Sequence, residues 1–165
     1  MKKFFRILFT VLIVAFLLIQ FYPRPEKNNG NTESEQEISN VINTPAPVLA
    51  ILKTSCYDCH SNQTYYPWYA QIQPVALWLN DHIEEGKKEL NFTLFGQYPV
   101  SKQYRKLEEI GEMVQEDEMP LVSYTLIHRN AKLNESQKQT LLSWVGSARK
   151  YFQNTHSPET LERKP

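Results

Sequence analysis

The stretch "KTSCYDCHSNQTYYPW", residues 53–68, holds both cysteines of the chain, Cys56 and Cys59, and His60 follows the second at once. A Cys-x-x-Cys spacing can begin a disulfide, a zinc clip, a redox dithiol or a covalent haem anchor. Structural zinc asks for four ligands, usually including a second close pair, whereas His82, His128 and His156 are scattered singly. A redox dithiol of the thioredoxin type belongs after a strand, at a helix start, within a βαβ pattern, and the sequence has none. A disulfide across two intervening residues closes a very small loop, stabilises little and leaves His60 without a role. Haem attachment accounts for all three residues. The two thiols add across the vinyl groups on one edge of the ring, and the adjacent histidine reaches the iron as its proximal ligand. Such attachment needs reduced thiols outside the cytoplasmic membrane.

The opposite face of the iron decides the chemistry. An occupied position favours electron transfer, and an open one admits peroxide or small ligands. The candidates are His82, Met113, Met119 and His128. Met119 precedes Pro120 in "EDEMPL", at a junction of helical segments where a side chain can leave regular structure and reach a cofactor. Met113 lies mid-helix, off the apolar stripe. His82 falls on the apolar face of its helix among Trp78, Leu79 and Ile83, where a histidine can also be a core residue bonded to backbone. His128 ends a helix and can stabilise that end as a cation. The expected order is Met119, then His128 and His82 as alternatives.

Helical spacing dominates the elements that must position these residues. Pro47 suits a first helical turn, and Val48, Leu49, Ile51 and Leu52 give that helix an apolar face leading to Cys56. From Val75 to Leu90, Val75, Trp78, Leu79, Ile83 and Leu90 share one side. Tyr104, Leu107, Ile110 and Val114 form the stripe of the next helix. A short helix is expected from Pro120. Asn134 with Gln137 opens a last helix as an N-cap pair, presenting Leu141, Trp144, Val145, Ala148 and Phe152. Four to five short helices joined by long loops suggest an all-α bundle held together by a large buried group. In the aromatic loop, Tyr65, Tyr66, Trp68 and Tyr69 are expected mainly to cover a haem edge, and otherwise to dock a partner.

Composition narrows the class. The 165 residues carry 18 Lys+Arg against 18 Asp+Glu, so no basic stripe argues for nucleic acid. "MKKFFRILFTVLIVAFLLIQFYP" places Lys2, Lys3 and Arg6 before an apolar run to Tyr22. Sixteen helical residues reach about 24 Å, and Phe4 and Phe5 bring the run near a bilayer core of about 30 Å. No pair of small residues marks a cleavage site, so residues 1–22 are expected to form an uncleaved signal-anchor, a transmembrane helix with its N-terminus cytoplasmic. Residues 23–44 are polar and read as a flexible linker. Residues 45–152 form the expected domain and 153–165 a disordered tail, in which His156 has no assigned role. The sequons at Asn62, Asn91 and Asn134 are expected to carry no glycan in a bacterial periplasm.

Three stretches in order, "SCYDCHSNQTYYPWY", "EEGKKELNF" and "MPLVSYTLIHRNAKL…LLSWV", resemble the small membrane-tethered haem-binding domain family of bacteria, a relative of the c-type cytochromes. The resemblance spans residues 45–150. It implies a cytochrome c-like fold, one haem c bound through Cys56 and Cys59, His60 as axial ligand, and Met119-Pro120 as the distal element. It implies no defined substrate. The expected function is therefore a monohaem electron carrier on the periplasmic side of the inner membrane, serving redox partner proteins. A haem peroxidase or small-ligand sensor with a displaceable sixth ligand is the alternative, and a subunit with a structural haem is a third.

Overall fold

The computed structural model describes residues 1–31 and 33–162. The fold is all-helical, and among the described residues β pairing is confined to an isolated bridge between Asn29 and Gln63. Helix α1 spans Lys2–Ile19, α2 Ile38–Val41, α3 Ala46–Ser55, α4 Tyr57–His60, α5 Val75–Glu89, α6 Val100–Gln115, α7 Val122–Thr125, α8 Glu135–Thr155 and α9 Pro158–Glu162. Short 3₁₀ turns at Trp68–Gln71, Phe92–Gln97 and Arg129–Ala131 link them.

The core lies where α6 and α8 pack together and α3 crosses α8. Leu107 and Val114 of α6 are buried against Leu141, Trp144, Val145, Ala148 and Phe152 of α8, with Val48, Ile51 and Leu52 of α3 closing the cluster. Each set recurs at three- and four-residue spacing, so each helix turns one apolar stripe inward. Tyr104 and Ile110 flank the α6 stripe partly buried. At the start of α8, Asn134 Oδ1 accepts the Gln137 N–H and Gln137 Oε1 accepts the Asn134 N–H, both at 2.9 Å. This capping box satisfies two donors that the helix leaves without partners.

Helix α5 departs from its expected face. Ala76 and Ile83 are buried, but Trp78 is 46 % exposed. Its packed flank lies against α4 and the 3₁₀ turn at Trp68–Gln71.

Residues 23–44, expected as a free linker, are fastened to the domain. Ile38 and Ile42 enter the core cluster, and the buried Glu37 accepts the Tyr57 hydroxyl. Asn28 donates through Nδ2 to the Ser61 carbonyl and to Thr64 Oγ1, each at 2.9 Å. The polar composition hid two isolated isoleucines large enough to anchor the segment. The expected tail is helical as far as it is described, and Leu161 of α9 packs partly buried against the core; residues 163–165 lie outside the described residues.

The N-terminal segment also differs from expectation. Among the described residues no helix is long and apolar enough to cross a membrane. Helix α1 has 18 residues, but Lys2, Lys3 and Arg6 occupy its opening turns. The stretch from Ile7 to Ile19, apolar but for Thr10, rises about 20 Å, short of a hydrocarbon core of about 30 Å. No residue of α1 is buried. Its C-cap residue Gln20 meets the domain at Gln73, donating from Nε2 to the Gln73 carbonyl at 2.9 Å and accepting the Gln73 N–H at 3.0 Å.

Two substitutions test this packing. Asn134→Ala should lower stability by about 1 kcal/mol through loss of the cap. Leu52→Ala, at a position 0 % exposed, should cost about 2–5 kcal/mol. Urea unfolding followed by far-ultraviolet circular dichroism measures both; equal midpoints for the two variants would contradict the core assignment.

Candidate functional site

Cys56 ends α3, and the chain turns directly into α4, a single turn carrying Tyr57, Asp58, Cys59 and His60. Cys59 and His60 N–H groups both donate to the Cys56 carbonyl, at 3.2 and 3.0 Å. One tight turn therefore presents both thiols and the imidazole together. Both cysteines are free thiols. Burial pushes the Cys56 thiol up to about 12, with Cys59 adding to the rise, and burial with the Asp58 charge pushes Cys59 up to about 11. At neutral pH both are uncharged, unlike the lowered thiols of a dithiol redox centre.

His60 is oriented by backbone. Its Nδ1 lies 3.0 Å from the Leu90 carbonyl oxygen. A carbonyl can only accept, so Nδ1 carries the proton and Nε2 keeps a lone pair for a ligand. The Leu90 carbonyl is available because α5 stops at Glu89 and Leu90 is extended, leaving its oxygen outside the helical ladder. Burial lowers the His60 pKa, opposed by the backbone hydrogen bonds, and the Lys106 charge lowers it further. The ring is neutral, as a metal ligand must be. Phe92 packs edge-on at 6.1 Å between centroids.

The corner that holds Leu90 is itself clasped to the residues after His60. Asn91 Nδ2 donates to Asn62 Oδ1 at 2.7 Å, and the Asn62 N–H donates to Thr93 Oγ1 at 3.1 Å. Gly86 brings α5 against α4, since a Cβ there would stand 2.6 Å from the Cys59 carbonyl oxygen. Only glycine permits that approach without moving one helix.

Cys56, Cys59 and His60 open onto a cavity of about 310 Å³, within the ~300–1,000 Å³ range of cofactor pockets. Its other walls are Ser55 and Asp58 beside the motif's cysteines, His82, Glu85, Gly86 and Glu89 from α5, and Met119, Pro120, Leu121 and Tyr124. Met119 arrives there through the end of α6. Asp117 takes a left-handed conformation at φ 59°, the Glu118 N–H donates to the Met113 carbonyl at 3.0 Å, and the Asp117 N–H reaches the Val114 carbonyl. This Schellman closure reverses the chain and directs Met119-Pro120 back over the motif. Asp tolerates the left-handed region better than most non-glycine residues.

The structure thus brings Met119 and His82 to the same cavity as the motif. His82 is not a core residue: it is partly exposed, with Nδ1 2.9 Å from the Trp78 carbonyl and its ring 4.4 Å from that of Trp78. His128 lies away from the cavity walls, with Nε2 2.6 Å from the Tyr69 hydroxyl and its ring stacked on Tyr124 at 4.4 Å. Met113 is likewise not among the cavity walls. Tyr65 and Trp68, expected to cover a cofactor edge, are 80 % and 75 % exposed. Among the described residues no three His, Cys, Asp or Glu side chains converge in a metal-holding cluster.

Sequence reasoning missed Asp58, Gly86, Leu90 and Tyr124 as parts of the site. Gly86 carried a signal, because a glycine inside an otherwise regular helix marks a close approach.

Residues 14–147 match the family model described as "Haem-binding domain". Over 153 residues the chain is 23 % identical to the cytochrome c peroxidase Ccp of Escherichia coli (strain K12), covering 88 % of this chain. The chain spans about a third of that relative's length, 32 %. No solved structure matches it significantly.

Gly86→Ala should force α5 from α4 and lower both stability and the yield of haem-loaded protein. The unfolding midpoint and the absorbance ratio of haem to protein report this, and a variant indistinguishable from wild type would rule out the close contact.

Proposed function

Since the chain belongs to the haem-binding domain family, we propose that it is a one-electron carrier holding one haem c through Cys56 and Cys59, with His60 proximal and Met119 distal to the iron. The observation that carries this reading is the His60 Nδ1 contact to the Leu90 carbonyl, which leaves Nε2 the unprotonated nitrogen of a ring lining the same cavity as Met119. The donor set fits the group: two uncharged thiols three residues apart, an imidazole of fixed tautomer, and a thioether on the same cavity. Bound haem supplies a reversible one-electron couple.

The protein's own residues then have distinct tasks. The Leu90 carbonyl fixes the ring plane of His60 and raises the basicity of Nε2. Met119 favours the reduced state relative to a histidine in its place. Leu121 and Pro120 narrow the cavity and exclude water. No proton or bond transfer is assigned to any side chain. The donors and acceptors in this reading are redox proteins, and the domain works on the periplasmic side of the bacterial inner membrane. Membrane association would run through α1, whose apolar residues such as Phe9 and Leu12 are 65 % and 58 % exposed with no protein neighbour to cover them.

A second reading is favoured by the similarity to the peroxidase over 88 % of the chain. There the distal position would be vacated for peroxide or a small ligand.

Reduced purified protein should show c-type bands that survive acid–acetone extraction, and ferric protein should show the weak charge-transfer band of methionine ligation, lost in Met119→Ala. Prompt stoichiometric carbon monoxide binding by the reduced wild type would favour the second reading. Extractable haem would sink covalent attachment. In cell fractionation, the full chain should sediment with membranes and a chain lacking residues 1–22 should not; identical partition would remove α1 from that role.

A further inference from the structure

The segment that carries Met119 onto the cavity is lightly packed. Helix α7 has no buried residue, and Val122, Leu126 and Ile127 are 68 %, 70 % and 63 % exposed. Segments with so little buried apolar surface open at low free-energy cost. This one is tied down by polar side chains distant in sequence. The Tyr124 hydroxyl donates to Asp58 Oδ2 at 2.7 Å, and the Tyr65 N–H donates to Asp58 Oδ1 at 2.9 Å. The second contact fixes the carboxylate so that its other oxygen faces Tyr124. Beyond Tyr124, the His128 ring stacks at 4.4 Å and an interplanar angle of 14°, and the Tyr69 hydroxyl meets His128 Nε2 at 2.6 Å. Asp58 stands between the two cysteines on α4. The turn that presents His60 therefore also grips the segment that brings Met119.

We infer that Tyr124 and Asp58 form a latch: a pair of positioning residues that keeps the Met119 segment closed over the cavity and so sets how readily a small diatomic ligand or peroxide reaches the distal position. This rests on the reading of Met119 as the distal ligand. Asp58 and Tyr124 touch no reacting atom in this role. A hydrogen bond to a carboxylate, once removed, raises the open population on the order of tenfold to a hundredfold.

The test uses the haem-loaded full chain and carbon monoxide as probe. Tyr124→Phe keeps the ring and its stacking on His128 and deletes one hydroxyl. Carbon monoxide association with the reduced variant should rise on the order of tenfold to a hundredfold, and the ferric charge-transfer band should weaken, at unchanged covalent haem content. Met119→Ala should bind the probe rapidly, and adding Tyr124→Phe to it should give no further increase. If Met119→Ala leaves association unchanged, the distal assignment fails and the latch with it. If Met119→Ala accelerates binding and Tyr124→Phe does not, the latch alone is overturned. An equal acceleration by Tyr124→Phe in both backgrounds would mean that the hydroxyl merely blocks the cavity, which also overturns it. Should Tyr124→Phe load haem poorly, Asp58→Asn weakens the same bond from the other side, and wild-type association rates in that variant would reject the latch.

Discussion

The contact between His60 Nδ1 and the Leu90 carbonyl, 3.0 Å long, governs the geometry of the whole site. It selects the tautomer, sets the ring plane and leaves Nε2 as the free donor. The contact exists because α5 ends one residue earlier and releases that carbonyl. Around it, the Asn91–Asn62 and Asn62–Thr93 hydrogen bonds lock the corner to the chain just after the motif. Gly86 lets the two backbones approach closely enough for the geometry to close. The surroundings of His60 are thus fixed by backbone, amide and hydroxyl contacts, none of which depends on a charged side chain in water.

The Met119 side of the cavity is built on different terms. Its chain arrives through a helix terminus with Asp117 in the left-handed region, then crosses the cavity in a segment whose apolar side chains Val122, Leu126 and Ile127 face outward. Hydrophobic burial contributes little there, and hydroxyl–carboxylate and hydroxyl–imidazole bonds take its place. Such contacts are directional, so they define one closed arrangement, but each is modest in strength beside the burial of a large apolar side chain. His60 is thus held firmly by its surroundings, whereas the Met119 segment is lightly tied.

Much of this was legible in the sequence, and the parts that were not share a cause. The apolar stripe of α8 and its Asn134–Gln137 cap followed from periodicity and capping chemistry, because both are local along the chain. Cys56, Cys59 and His60 declared themselves by spacing. Met119 stood out for its position before Pro120 at a helix junction. The Leu90 carbonyl, in contrast, is a backbone atom that no residue type advertises. Tyr124 and Asp58 lie 66 residues apart, and nothing local pairs them. The segment 23–44 misled because its polar average concealed Ile38 and Ile42, whose full burial pins it to the core. For α1, the apolar character was visible, but three cations in the opening turns shorten the stretch that could lie in hydrocarbon.

One motif therefore serves both faces of the cavity. Within "CYDCH", the cysteines and histidine line the cavity, while Asp58 at its margin bonds to Tyr65 and Tyr124. A single helical turn offers residues that diverge by about 100° each, so neighbours in sequence point to different walls. That divergence lets α4 present His60 to the cavity and grip the Met119 segment at once. It also couples the two: any shift of α4 that moves His60 moves Asp58, and the Met119 segment must follow or let go. In the proposed carrier, such coupling would hold the residues on both walls of the cavity in one frame.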